Sequence, residues 1–149
     1  MESTSRSSLQ VGIANSDEQI AACFPVLSQL RPQLLGKGFV DLVRRLQTRG
    51  YELVYAQVEG VVRGVAGFEE IESIARGRYL YVFDLVTDSE SRSTGVGGAL
   101  FDWLVALARE RRCREICLDS AVHRFAAHRF YIRKGMHIAS HHFLLELEP

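Results

Sequence analysis

A single domain of α/β (α+β) class, with helices on both faces of a mixed, mostly antiparallel central sheet, is what three features of this 149-residue sequence predict. One is the order of its periodic segments: strand, helix, helix, three strands, helix, strand, helix, strand. Another is that the three central strands follow one another through short connections, as in an antiparallel meander. The last is the lack of any repeat, long linker or low-complexity stretch beyond "MESTSRSS". Residues 1–8 therefore read as a flexible tail and 9–149 as the domain.

Each element follows from local chemistry. "LQVGIA" alternates as a first strand, and "SDEQ" at Ser16 to Gln19 has the spacing of a capping box that opens a helix. "IAACFPVLSQL" is apolar on one side, but Pro25 removes an N–H there, which predicts a kink or break near Cys23. "FVDLVRRLQT" places Phe39, Leu42, Val43 and Leu46 at helical spacing, and Gly50 stops it. "YELVYAQV" and "VVRGVAGF" flank Glu59-Gly60 as an antiparallel hairpin. "EEIESIARG" then reads as a loop leading to "RYLYVFDLVTD", a strand rich in β-branched and aromatic residues. Leu100, Phe101, Leu104, Val105 and Ala108 line one face of the next helix, with Trp103 off that stripe. "EICLD" is a short strand, "FAAHRFYIRKG" a helix closed by Lys134 and Gly135, and "HHFLLELE" alternates as a final strand.

Composition narrows the function. Apolar residues make up 47% and charged ones 24%, as in ordinary soluble proteins, and no apolar run reaches the length of a membrane span. Eighteen basic residues balance eighteen acidic ones, so neither a nucleic-acid nor a membrane partner is expected, and small substrates are favoured. Cys23, Cys113 and Cys117 are an odd set with no C-x-x-C pair and read as reduced and structural. The opening residues have no hydrophobic stretch of a secretory signal, so a cytoplasmic location is expected.

The chemistry concentrates in "SESRSTGVGGALFDWL". Gly95, Gly97 and Gly98 open the backbone just before a helix, so amide N–H groups and the helix N-terminus can converge on an anion. A P-loop is excluded, because Gly98 is followed by Ala99-Leu100 instead of Lys-Ser/Thr. A dinucleotide fingerprint from Gly95 would need glycine where Leu100 stands. A ligand-free turn is the bland alternative. Asp84, in the otherwise apolar "YVFDLV", is a carboxylate whose burial calls for a partner or a purpose. It is the first candidate for a general base, with ammonium anchoring and a structural role as alternatives.

Arg92-Ser93-Thr94-Gly95-Val96-Gly97 spells R-x-x-G-x-G after a strand ending "DLVTD", and "AAHRFYIRKGM" follows after another strand. This pairing resembles the GNAT superfamily of acetyl-CoA-dependent N-acetyltransferases, from "LQVGIA" to "HHFLLEL". The resemblance implies that the backbone of Leu85, Val86 and Thr87 pairs with the pantetheine arm of acetyl-CoA. It implies that Ser93, Thr94, Gly95, Val96, Gly97 and Gly98, with Arg92 in the Gln/Arg position of the signature, cradle the pyrophosphate. Tyr131 falls on the family's helix tyrosine, as general acid for the departing thiolate, and the N–H of Val86 is the implied oxyanion donor. Where members often carry asparagine seven residues before that tyrosine, this chain has Arg124.

Around these, Glu69 and Glu70 are fallback bases, His128 stands near Tyr131 in sequence, and His141 and His142 could line an acceptor pocket. Glu69, His128 and His142 join Asp84 as the expected acceptor-binding set. No metal is implied, since His137 and His141 share a spacing only across a turn. The acceptor expected is a small-molecule amine, with a weak likeness to the aminoalkylphosphonate branch, and the assembly expected is a homodimer. Two alternatives stand: a non-catalytic acyl-CoA-binding regulatory module, and a protein or peptide N-acetyltransferase.

Overall fold

The computed structural model describes residues 9–92 and 94–148, which divide between Cys117 and Leu118 into two compact units. Ser93 and the tail at residues 1–8 lie outside the described residues.

The first unit is built on strands β1 (Leu9–Ile13), β2 (Glu52–Val58), β3 (Val61–Ser73), β4 (Gly77–Thr87) and β5 (Glu115–Leu118), in sheet order β1-β2-β3-β4-β5. The first three pairings are antiparallel. Arg114 donates its N–H to the Arg78 carbonyl at 2.7 Å, where both β4 and β5 begin, so β5 runs in the same direction as β4 and the sheet is mixed. β3 is longer than expected, because "EEIES" is strand and not loop. Glu69 pairs with Tyr81 and Ser73 with Gly77 across a tight turn, which gives those backbone groups partners.

Helix α1 (Asp17–Leu30) opens on the expected box: Ser16 Oγ accepts from Gln19 N–H and Gln19 Oε1 accepts from Ser16 N–H. Pro25 does not break it. Proline leaves the Ala21 carbonyl without its helical donor, but both residues are exposed, where water can take the donor's place. α1 and α2 (Phe39–Gln47) bury Ile20, Cys23, Val26, Leu27, Phe39 and Val43 against Leu53, Val65 and Val86 on one sheet face. Alternation turns Ala66 and Phe68 to the opposite face, where the Phe68 ring meets Trp103 of α3 (Val96–Glu110) with centroids 6.2 Å apart. Trp103 thus packs although it lies off the main stripe.

In the second unit, α4 (Phe125–Arg133) ends at Lys134 with Gly135 at φ 96°, the left-handed close expected. The final strand does not form. "HHFLLELE" has no ladder partner, and Phe143, Leu144, Leu145 and Leu147 are exposed. Alternation favours a strand only where another backbone edge completes its hydrogen bonds.

Candidate functional site

A bulge in β4 shapes the first half of the site. The ladder pairs Gly67 with Asp84 and Phe68 with Val82, so Phe83 is the extra residue, and it projects beside Asp84 on the α1 side of the sheet. Asp84 turns inward. Its Oδ1 accepts from Arg31 Nε and its Oδ2 from the Tyr51 hydroxyl, both at 2.9 Å, while Arg31 Nη2 donates to the Phe83 carbonyl at 2.9 Å. The carboxylate has found both a cationic partner and a phenol, an arrangement that builds structure more readily than it accepts a substrate proton. Burial first, then the adjacent Asp84 charge, push the Tyr51 phenol well above its ordinary value, so it stays a donor. The ring can lie there only because residue 67 is glycine: a Cβ at that position would sit 1.7 Å from the Tyr51 hydroxyl.

Phe83 turns outward, 41% exposed, with its ring 4.6 Å from Tyr81 and 6.3 Å from Tyr51. Glu69 is the ladder partner of Tyr81 and, by alternation, shares that face. Glu70 is tied elsewhere, to Arg78 at 3.2 Å and to Arg111, which grips Glu52 with both terminal nitrogens.

The second half is the free edge of β4. β5 has four residues, so it flanks only the first part of β4, and the segment from Asp84 to Thr87 runs on beyond it. Which peptide groups face that edge follows from bonds at the two ends of β4. The Arg78 carbonyl points to β5, the Asp88 N–H points to the Arg63 carbonyl on β3, and the Phe83 bulge resets the alternation between them. Leu85 and Thr87 therefore turn their peptide groups to the open edge, and Val86 turns its own toward β3. The Val86 side chain is buried in the α1 face.

From Asp88 the chain makes one 3₁₀ turn, Ser89–Ser91, and passes the exposed Arg92 and Thr94, whose hydroxyl donates to the Ser91 carbonyl. Gly95 then caps α3 at φ 92°, a left-handed conformation that glycine adopts without strain. The first helical bond in α3 runs from Ala99 N–H to the Gly95 carbonyl, so the N–H groups of Val96, Gly97 and Gly98 have no helical acceptor. Among the described residues no side chain caps this end, and no acidic residue occupies its first turn. The Val96 side chain is core, so it contributes backbone alone.

In the second unit, burial pushes the Tyr131 phenol above its ordinary value, while the Arg124 guanidinium hydrogen-bonded to it pulls the other way. His128 Nε2 is 2.8 Å from the Ala121 carbonyl, which ties the ring to the loop before α4. His142 Nδ1 is 3.3 Å from Asp119 Oδ2, and both side chains are largely exposed. Among the described residues no cluster of His, Cys, Asp or Glu could hold a metal, and no helix is long and apolar enough to cross a membrane.

Sequence reasoning missed Arg31, Tyr51 and Gln29. Their partners lie far along the chain, and nothing in "LSQLRP" marks a residue that reaches a distant strand.

A family model described as the acetyltransferase (GNAT) family matches residues 18–136. The uncharacterized N-acetyltransferase YhdJ of Bacillus subtilis (strain 168) is 32% identical over 130 residues, covering 86% of this chain and 92% of its own length. Among solved structures, a Trypanosoma brucei acetyltransferase superposes with TM-score 0.76 at 22% identity, over 93% of this chain and 99% of that one. An aminoglycoside acetyltransferase from an uncultured soil metagenomic sample, in complex with sisomicin, superposes with TM-score 0.78 at 14% identity, over 95% and 97%.

Proposed function

We propose a reaction from one established premise: this chain belongs to the GNAT family of acetyltransferases and is an acyltransferase. The reaction is transfer of an acetyl group from acetyl-CoA to the primary amine of a small molecule, by direct attack. The observation that carries it is the open edge of β4 leading into a helix N-terminus whose first three N–H groups, those of Val96, Gly97 and Gly98, have no acceptor within the helix. An extended amide-bearing arm completes such an edge as an added strand, and a pyrophosphate satisfies such an N-terminus. Residues 9–149 read as one N-acetyltransferase domain, a reading supported by the family match across both units.

The roles follow from the chemistry. Leu85 and Thr87 receive the pantetheine amides, and Arg92 with Thr94, Gly95, Val96, Gly97 and Gly98 receives the pyrophosphate. The neutral amine attacks the thioester carbon, and charge collects on the former carbonyl oxygen. Leu85 N–H is better aimed at that oxyanion than Val86 N–H, given the alternation above. The C–S bond breaks and the thiolate takes the Tyr131 proton. A raised pKa keeps that proton on the phenol until it is needed, and Arg124 stabilises the phenolate left behind. Glu69 holds the incoming ammonium or takes its proton, while Asp84 acts as a positioning residue.

Tyr81 and Phe83 give the acceptor side an aromatic wall, which favours an amine carried on an apolar or aromatic body. A steady-state thiol-release assay with acetyl-CoA and a panel of amines tests this. Arylalkylamines are expected to show lower KM than aminoglycosides or aminoalkylphosphonates. Preference for the sugar or phosphonate amines would overturn the acceptor class, and no amine-dependent release at all would overturn the reaction.

A further inference from the structure

The last turn of α1 reaches β4 at two places. Arg31 holds the bulge at Asp84, and Gln29, two residues earlier, holds the far end of the strand. Gln29 Nε2 donates to Asp88 Oδ1 at 2.7 Å, and Gln29 Oε1 accepts the Ser89 N–H at 2.9 Å. The Pro25 carbonyl lies 3.4 Å from the same Nε2. From the other side, Asp88 N–H donates to the Arg63 carbonyl at 2.7 Å, and Arg63 Nη1 reaches Asp88 Oδ2 at 3.4 Å. One neutral amide thus serves as donor to a carboxylate and acceptor for the next residue's backbone. A carboxylate or an alkyl group could not do both. Ser89 begins the turn that carries the chain through Arg92 into Gly95, so this junction decides where the glycine loop leaves β4.

We propose that Gln29 is a positioning residue for the coenzyme: by clamping the Asp88–Ser89 junction from α1, it sets the placement of the glycine loop and hence coenzyme affinity. The proposal rests on reading that loop as the pyrophosphate cradle. α1 then supports the acceptor side through Arg31 and the coenzyme side through Gln29. The second clamp is separable, because the hydrogen bonds of Gln29 go to Pro25, Asp88 and Ser89, whereas those of Asp84 go to Arg31 and Tyr51.

The test exchanges the two partners. Gln29→Glu sets one carboxylate against another, and their repulsion draws the side chain away from both Asp88 and the Ser89 N–H. Asp88→Asn alone keeps an oxygen for Arg63. In the double variant the amide and carboxylate have traded places, so the clamp is rebuilt. Gln29→Glu is expected to raise the acetyl-CoA KM about tenfold, the scale of one or two lost hydrogen bonds. kcat at saturating coenzyme and the acceptor KM should stay unchanged, and Ser89 amide hydrogen exchange should quicken. The double variant should recover the coenzyme KM to within about twofold. An unchanged coenzyme KM in Gln29→Glu, or a double variant no better than the summed single losses, would overturn the clamp. Coenzyme A titrated calorimetrically into the wild type separates the two readings: no binding there sinks the cradle and the proposal with it, whereas wild-type binding with unaffected variants sinks the clamp alone.

Discussion

At residue scale, a carboxylate is defined by what its oxygens already hold. Asp84 stands out in "YVFDLV" as a charge in an apolar strand, and that much is legible from sequence, since such a group must have a partner. Its partners are not legible: Arg31 lies 53 positions away and Tyr51 33, and only the folded sheet joins them. The expected outcome for Asp84→Asn is therefore a loss of about 1 kcal/mol of stability, the ion pair being partly exposed. Its kcat/KM should fall by the same factor at neutral and alkaline pH. A missing base would behave differently, with the loss vanishing at high pH where the amine is already neutral, and a pH–rate profile reads which occurs. Cys23 shows the opposite agreement between sequence and structure. Burial pushes its thiol up from 9.0 to about 12. The folded state thus holds a proton that the unfolded chain releases, so this contribution to stability is complete below pH 9.0 and is lost as pH rises toward about 12. Native protein at neutral pH should resist alkylation at Cys23, as measured by mass spectrometry with and without denaturant.

Elements follow from sequence where their stabilising groups are local. The capping box at Ser16, the Glu59-Gly60 hairpin and the Lys134-Gly135 close are all formed by neighbours within a few residues. They fail where the decisive partner is distant: β3 extends because β4 is there to pair with it, and "HHFLLELE" stays unpaired in spite of its alternation. The glycine loop sits between these cases. Its three glycines announce an open backbone, but the orientation of the preceding strand, which favours Leu85 over Val86, is set by a bulge no periodicity marks. At this scale, acetyl-CoA at a hundred times its Kd should raise the wild-type melting temperature by roughly 5–10 °C. Gly97→Val, which puts a branched side chain into the first turn of α3, should fold and lose that shift. A full shift in the folded variant would remove the loop from the coenzyme site.

For the whole molecule, the family match spans residues 18–136, from the capped helix to the residue after α4's glycine stop. The acyltransferase assignment rests on that match and on the 32% identical relative; the first unit by itself carries the β4 edge and the N-terminus of α3, and the second carries Tyr131 with the Arg124 guanidinium hydrogen-bonded to it. In the proposed reaction, Tyr131 protonates the departing thiolate during amine acetylation. The most direct measurement is amine-dependent thiol release from acetyl-CoA by wild type and Tyr131→Phe, with coenzyme Kd determined for both. Removing only the phenolic proton should lower kcat by about 10²–10⁴-fold and leave Kd nearly unchanged. Full turnover by Tyr131→Phe, or a wild type that binds acetyl-CoA yet releases no thiol with any primary amine, would contradict it.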